Sequence, residues 1–415
     1  MAITLSNITP TGTVPGYNPI YAIAASNATA QANFEYIFDV YIDGHTFAGG
    51  ASYLRFKVPA DPTYGQGAFN ISTIAQRYLT QDIQDTIFGF QQAANSIKKV
   101  TVKFGELYGP SSGVTAYPNQ ASIISYAFNG SLGSIEFKDY SSTDYAAFIG
   151  IGTVPFLTNA PTSGTIRSGE NAWLYALSQT SGGIKFANIN TYDTGGSLVG
   201  NYRVINHQYH DTATTANRMV RFPAGTNLNS VTTGIYTLDP TPILQANAVK
   251  WEIYFTDANH NRITDSYYYS LDSTCTPHEV YRLHFKNKWG GFDSFSFIRA
   301  SQKSVNIIRN KFEKVKGEFK GSMDYTYYIK DRFQTDYYTE VKENIKLNSD
   351  WINEDESVWL QELLTSPCVY LDITTDLVPV NIVESSYTQR QHKTDKLFNL
   401  ELNIQYTFND TRQGA

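Results

Sequence analysis

Two histidines near an aspartate give this chain its clearest pattern for metal chemistry. In "NHQYHD", His207, His210 and Asp211 are residue types that bind zinc through imidazole nitrogen and carboxylate oxygen. Their spacing matches no diagnostic zinc motif, and no helical stripe or further ligand pair flanks them. We therefore interpret the segment as a polar loop and predict no metal and no cofactor.

A cysteine and a histidine lie close together in "CTPHE". Cys275 and His278 are the residue types of a nucleophile and its base, but Pro277 stands between them and no orienting group is evident. Packing or capping is the simpler interpretation. The second cysteine, Cys368, is distant in sequence, so we expect two buried thiols in a reducing compartment. A disulfide between Cys275 and Cys368 is the alternative.

The stretch "HFKNKWGGFDSFSF", residues 284–297, combines aromatic, basic and glycine residues. Its centre is Trp289, Gly290, Gly291, Phe292 and Asp293. No phosphate-loop pattern follows the glycines, and Asp293-Ser294 has no neighbouring histidine with which to form a hydrolase set. Two glycines supply the permissive backbone of a tight turn. The stretch therefore predicts a structural corner, with Trp289 and Phe292 as packing anchors.

Enzymatic function finds little support elsewhere in the chain. The carboxylate pair of a glycosidase is positioned by the fold, so its spacing cannot be read from a sequence. No pair stands out, and the repeated rungs of a β-helical depolymerase are missing. We predict that the protein is not an enzyme.

Composition predicts a mainly β protein that does not serve chiefly to bind nucleic acid. The 415 residues include 30 tyrosines and 24 phenylalanines, which favour strands and interfaces, and this length suggests two or three domains. The net charge of -6 disfavours nucleic acid as the main partner. Residues 282–346 hold fourteen Lys/Arg against eight Asp/Glu, about +6, which leaves about -12 elsewhere. Such asymmetry suits packing against copies of the same chain.

Alternating apolar residues divide the chain into four segments. "FEYIFDVYI" (34–42) predicts a strand that Asp43-Gly44 ends, and "LFNLELNIQYTF" (397–408) predicts the most regular strand. The predicted segments are an N-terminal β-sandwich, a loop-rich β insertion, returning strands with the Gly-Gly corner, and a C-terminal β-barrel or sandwich with one packed helix. Their bounds are 1–108, 109–245, 246–300 and 301–415.

The helix is predicted over residues 354–365. Asn353 can cap it, acidic residues fill its first turn, and Pro367 prevents its continuation. The expected buried stripe consists of Val358, Trp359, Leu363 and Leu364. Trp359 is accordingly a candidate structural or interface residue.

The chain shows no targeting or membrane signal. No apolar run approaches the roughly 18 residues that a membrane helix needs, and the N-terminus lacks the basic head and apolar core of a secretory signal. We expect synthesis and retention in a cytoplasm, with no membrane span.

Four blocks resemble virion structural proteins of tailed phages that infect Bacteroidota, including crAss-like podoviruses. The blocks are "YNPIYAIAASNATAQANFEYIFDVYI", "YLRFKVPADPTYGQGAFNISTIAQRYL", "YRLHFKNKWGGFDSFSF" and "WLQELLTSPCVYLDITTDLVPVNIVESSYTQRQHKTDKLFNLELNIQY". The Gly-Gly-Phe-Asp block is the most specific, and none falls within 109–245. The C-terminal order of strands, one helix and a long hairpin is also similar to distal-tail proteins.

The resemblance implies a non-enzymatic tail protein that forms a ring, collar or baseplate component in many copies. Its implied partners are copies of itself and other phage tail proteins, and its implied location is the virion tail, assembled in the host cytoplasm. The alternative is a receptor- or glycan-binding adhesin that recognises a host surface glycan through 109–245. Frequent tyrosine and tryptophan would suit a sugar platform.

Overall fold

The fold is mainly β, as composition predicts, with 52% strand against 9% helix. It comes from a computed structural model that describes residues 3–83, 89–139, 155–178, 183–207, 219–232, 234–235, 242–330, 332–373, 376–383, 398–408 and 410–412. The chain divides into two compact units. The first contains Met1–Ser273 and Lys286–Asp293, and the second contains Thr274–Phe285 and Ser294–Ala415.

Short and long strands alternate with few helices along the chain. The strands are β1 Ile3–Thr9, β2 Thr13–Pro15, β3 Tyr21–Ser26, β4 Glu35–Ile42, β5 Leu54–Pro59, β6 Gln66–Asn70, β7 Gln91–Gln92, β8 Ile97–Tyr108, β9 Thr115–Phe128, β10 Ser163–Ile166, β11 Trp173–Leu177, β12 Phe186–Tyr192, β13 Leu198–Ile205, β14 Met219–Pro223, β15 Lys250–Thr256, β16 Tyr267–Leu271, β17 Tyr281–Lys286, β18 Phe292–Phe297, β19 Gln302–Glu313, β20 Glu318–Gly321, β21 Asp324–Thr326, β22 Gln334–Ile352, β23 Val369–Ile373, β24 Asp376–Ile382, β25 Phe398–Tyr406 and β26 Asp410–Arg412. The α-helices are α1 Ser72–Ala75, α2 Ser134–Asp139, α3 Glu354–Trp359 and α4 Gln361–Thr365. In the described ranges, 3-10 turns lie at Ala48–Gly50, Gln76–Tyr78 and Thr226–Ser230.

The N-terminal strands of the first unit form a three-stranded sheet, β1-β3-β6, and a five-stranded sheet, β2-β9-β8-β4-β5. The strand predicted over 34–42 is confirmed as β4, which pairs with β5 and β8. It is buried on both faces, and the buried Asp39 accepts hydrogen bonds from Arg55 at 2.7 and 2.8 Å. That ion pair satisfies the one carboxylate that the strand buries.

A second pair of sheets follows in the first unit. The order β10-β16-β15-β12-β13 forms a five-stranded sheet, and β11-β14-β7 forms a three-stranded sheet. Their shared core places the Phe90 ring 4.8 Å from Phe222 and 5.1 Å from Phe255. The indole of Trp251, fully buried, donates to the carbonyl of Ala224 at 2.9 Å.

Two sheets contain strands from both sides of a predicted segment boundary. The β8–β9 hairpin spans the predicted division at 108/109. The five-stranded sheet joins β12 and β13 to β15 and β16, on either side of the division at 245/246. The two compact units therefore differ from the four predicted segments.

The second unit is built on an eight-stranded sheet of order β18-β17-β23-β24-β25-β22-β19, with β26 beside β22. The regular strand predicted near the C-terminus is confirmed as β25, where Phe398, Leu400, Leu402 and Ile404 are buried and the residues between them are exposed. This unit contains residues Tyr281–Phe285 of β17 and Ser294–Phe297 of β18. The turn that joins these strands lies within Lys286–Asp293, which belongs to the first unit.

The predicted helix 354–365 is present as two consecutive helices, α3 and α4. Asn353 caps α3 in a capping box with Glu356, as predicted. The predicted stripe is wrong at Val358, whose side chain is 55% exposed, whereas Leu360 is buried. At helical spacing Trp359, Leu360 and Leu363 share one face, and Val358 lies outside that face.

Candidate functional site

The Gly-Gly corner is a hairpin turn between β17 and β18. Gly290 has a φ of +81°, a conformation that glycine adopts without strain. The N–H of Gly290 donates to the Asn287 carbonyl at 3.1 Å, and the N–H of Asn287 donates to the Gly291 carbonyl at 3.0 Å. The geometry is that of a tight turn.

The side chain of Asn287 organises this turn from within. Its Oδ1 accepts from the N–H groups of Trp289 and Gly291, each at 3.0 Å. Its Nδ2 donates to the Leu157 carbonyl at 2.8 Å and to Asp293 Oδ1 at 3.0 Å. All the bonding capacity of a buried amide is thus used inside the protein.

The predicted anchors of the corner are buried. Phe292 is 1% exposed, and the nearly buried Trp289 donates its indole N–H to Asn159 Oδ1 at 3.1 Å. Asp293 accepts from the Thr158 hydroxyl at 2.8 Å. These contacts give the corner residues packing and hydrogen-bonding roles.

Trp359 lies at the end of α3, inside the second unit. Its ring is 5.7 Å from that of Phe285 and 6.0 Å from that of Phe295, measured between centroids. The tryptophan therefore packs the helix against β17 and β18 of its own unit, which is a structural role.

The sequence candidates for metal and nucleophile chemistry are only partly described. His207 is exposed, while His210 and Asp211 lie outside the described residues. Within the described residues, no group of three His, Cys, Asp or Glu side chains could hold a metal ion. Cys275 and Cys368 are free thiols, as expected, but the prediction that they are buried is wrong, because Cys275 is exposed and Cys368 is half-buried.

A Ser-His-Asp relay crosses three adjacent strands of the second unit. The imidazole of His284 on β17 lies 2.6 Å from Ser294 Oγ through Nδ1 and 3.1 Å from Asp372 Oδ2 through Nε2. The expectation that Ser294 has no histidine neighbour is therefore wrong. The histidine that contacts Ser294 is His284, on the neighbouring strand of the hairpin and ten positions earlier in the sequence. The residue pattern along a single strand does not reveal such a contact.

The relay has the connectivity of a hydrolase triad, although its two ring nitrogens are exchanged relative to the usual arrangement. His284 is fully buried, and Arg282 makes a parallel bond to Ser296 at 2.7 Å on the same two strands. Consecutive polar pairs on one face of a sheet are a way of satisfying buried side chains. We interpret the relay as stabilising.

Replacing Ser294 with alanine tests that interpretation. The variant leaves the buried imidazole without one partner, so we expect the free energy of unfolding to fall by about 1–3 kcal/mol. Urea unfolding measures the change, and Ser112→Ala, in the exposed turn between β8 and β9, serves as the control, expected within about 0.5 kcal/mol of the parent. An esterase activity that Ser294→Ala abolished would contradict the stabilising role.

Many of the large apolar side chains that are exposed among the described residues lie on a long hairpin, residues 302–341, which we call the β-arm. It contains β19, β20, β21 and the first part of β22. All twelve residues of β19 are exposed, on both of its faces, and the strand is roughly 40 Å long at about 3.3 Å per residue. The β-arm therefore extends beyond the core of its unit.

Large apolar side chains cover the β-arm. Those exposed are Val305, Ile307, Ile308, Phe312, Val315, Phe319, Met323, Tyr325, Tyr327, Tyr328, Ile329, Phe333 and Tyr337. Clusters of this kind mark interaction sites, since monomeric proteins rarely expose them. β19 is also the edge strand of its sheet, so among the described strands its outer backbone edge pairs with none.

Lysine side chains accompany the aromatic rings of the β-arm. The Lys320 ammonium lies 4.3 Å from the centre of the Tyr328 ring, and that of Lys316 lies 4.7 Å from the Phe333 ring. Residues 302–341 hold eight Lys/Arg and six Asp/Glu, a net charge of +2, and the rest of the chain therefore carries -8. The β-arm is thus both apolar and basic, on a chain that is otherwise acidic.

Comparison with known proteins found neither a matching family model nor a matching curated protein. In the part of the chain that the structure describes, no helix has the length and apolarity to cross a membrane.

Proposed function

We propose that the protein is a non-enzymatic structural protein of a bacteriophage virion, which forms an oligomeric ring in the tail as a collar, ring or baseplate component. The β-arm is the observation that supports this proposal. Its two faces offer apolar side chains without a core of their own, and a two-stranded hairpin alone is marginally stable in water. A neighbouring subunit would supply the missing cover.

A second copy of the chain fits the β-arm best. The β-arm carries +2 and the remainder carries -8, so the arm of one copy and the body of the next attract each other. The arm and its docking surface are different parts of the chain, and such head-to-tail contacts form a ring when the rotation between neighbours closes. Other tail proteins would then contact the ring in the virion, after assembly in the host cytoplasm.

The proposal is tested by measuring the mass and shape of the purified full-length protein at micromolar concentration. Native mass spectrometry is expected to give one multiple of the 46.5 kDa chain mass, and negative-stain electron microscopy is expected to show closed annular particles. Monomers at all concentrations would contradict the ring. Monomers that bound a host capsule would favour the adhesin alternative.

A further inference from the structure

The first unit has a polar surface that lies outside the β-arm. The five-stranded sheet β10-β16-β15-β12-β13 buries Trp251, Ile253 and Phe255 in the core. Because side chains alternate along a strand, Lys250, Glu252 and Tyr254 of β15 lie on the opposite face. We call this opposite face the polar face.

The register of four strands brings polar side chains into one row on this face. Asn201 is opposite Asn190, Asn190 is opposite Glu252, and Glu252 is opposite Tyr268. Asn201 Nδ2 donates to Asn190 Oδ1 at 2.6 Å, and Asn190 Nδ2 donates to Glu252 Oε2 at 2.9 Å. The row is therefore linked by side-chain hydrogen bonds that fix the orientation of its members.

Glu252 is the centre of this network. Its carboxylate accepts from Asn190, Ser266, Tyr192 and Tyr268, the two phenols at 3.3 Å each. Burial raises the pKa of Glu252, but the hydrogen bonds outweigh that effect and hold the pKa below its ordinary value. The carboxylate is ionised at neutral pH and orients its donors, so its role is positioning.

Cations lie over the aromatic rings of the polar face. The Lys250 ammonium is 4.9 Å from the centre of the Tyr268 ring, and the Arg262 guanidinium is 4.7 Å from the centre of the Tyr254 ring. Lys250 and Arg262 are exposed, while both tyrosines are half-buried with part of their surface open to solvent. Together with Arg203 they give the face three cations, against one carboxylate that is already fully hydrogen-bonded.

We propose that the polar face binds an acidic polysaccharide, in which the carboxylates of uronic acid units pair with Lys250 and Arg262. The exposed Asn201 has an amide group, which can donate to and accept from sugar hydroxyl groups. The positive balance of the face complements an acidic chain. This inference goes beyond the proposed ring and does not depend on it.

A protein or a nucleic acid fits this face less well. The buried centre of a protein interface is apolar, whereas the centre of the polar face is the hydrogen-bonded row of Asn190 and Glu252. A nucleic-acid surface needs a larger excess of cations to neutralise successive phosphates, and the chain carries a net charge of -6. The combination of amide groups with a few exposed cations therefore favours an acidic saccharide.

Biolayer interferometry on the full-length protein tests the proposal with immobilised oligogalacturonate and hyaluronan fragments, dextran oligomers and a single-stranded dT oligomer. The parent protein is expected to bind at least one acidic saccharide and to bind dextran and dT at least tenfold more weakly. Lys250→Ala and Arg262→Ala should each weaken acidic saccharide binding about tenfold, because each removes a charge-assisted contact. Raising the salt to 0.5 M should also weaken it.

Lys57→Ala, an exposed lysine on the different sheet that contains β5, is the matched control and is expected to bind like the parent. Both variants of the polar face change exposed side chains, so their circular dichroism spectra should match that of the parent. The proposal is overturned if the parent binds neither acidic saccharide, if Lys250→Ala and Arg262→Ala bind as the parent does, or if dextran or dT binds as tightly. A ring that binds no saccharide would leave the proposed function standing while removing this inference.

Discussion

Replacing Ile307 and Phe319 of the β-arm with serine is expected to convert the oligomer into folded monomers. Both side chains are large and exposed in the single chain, at 46% and 73% of their surface, so only a neighbour can bury them. Burying a whole side chain of this size contributes about 1.5–3 kcal/mol, so burying the exposed parts of these two contributes about 2–3.5 kcal/mol per interface. Losing that contribution weakens each interface by about thirtyfold or more.

Mass photometry over a range of concentrations measures the dissociation, and thermal unfolding reports the stability of the monomer. The matched control is Ile135→Ser with Tyr64→Ser, which removes two apolar side chains that are each 80% exposed and lie outside the β-arm. The control should assemble like the parent. If the β-arm variant still formed the parent oligomer, the subunit contact would have to lie elsewhere, and the ring itself could still stand.

The elements that alternate strictly could be predicted from the sequence. In β25, polar residues separate Phe398, Leu400, Leu402 and Ile404, so only one face can be buried and the strand follows. The capped start of α3 was equally visible, because Asn353 and Glu356 have the spacing of a capping box. Local chemistry is sufficient where it determines both the element and its buried side.

Contacts across strands could not be predicted in this way. His284 and Asp372 are 88 positions apart, and Asn190 and Glu252 are 62 apart, so only strand order and register bring them together. One signal for the polar face was present in "KWEIYFT", where Lys250, Glu252 and Tyr254 alternate with the core residues. The sequence of β19 contains no signal of its exposure. Its apolar side chains resemble those of a core strand, and whether they are buried depends on the elements that surround the strand.

Replacing Gly290 with alanine is expected to destabilise the first unit severely. Two separate costs contribute. At a φ of +81° an alanine is strained by about 1–2 kcal/mol, and its Cβ would lie 2.4 Å from the Asn129 carbonyl oxygen and 2.7 Å from the carbonyl carbon. Those atoms are backbone and cannot rotate away, so the turn must shift and break bonds that Asn287 makes to it. We expect a total loss of about 4 kcal/mol.

Gly169→Ala separates the two costs. Gly169 has a similar φ of +86°, but a Cβ there meets no atom within 4 Å, so the variant carries only the conformational strain. Chemical denaturation of both variants should therefore show Gly290→Ala to be at least about 2 kcal/mol less stable than Gly169→Ala. Equal losses would mean that the corner tolerates a side chain through movement of the Asn129 backbone. Glycine would then be required at Gly290 for its backbone conformation alone, and the close approach of the two chain segments would contribute nothing to the requirement.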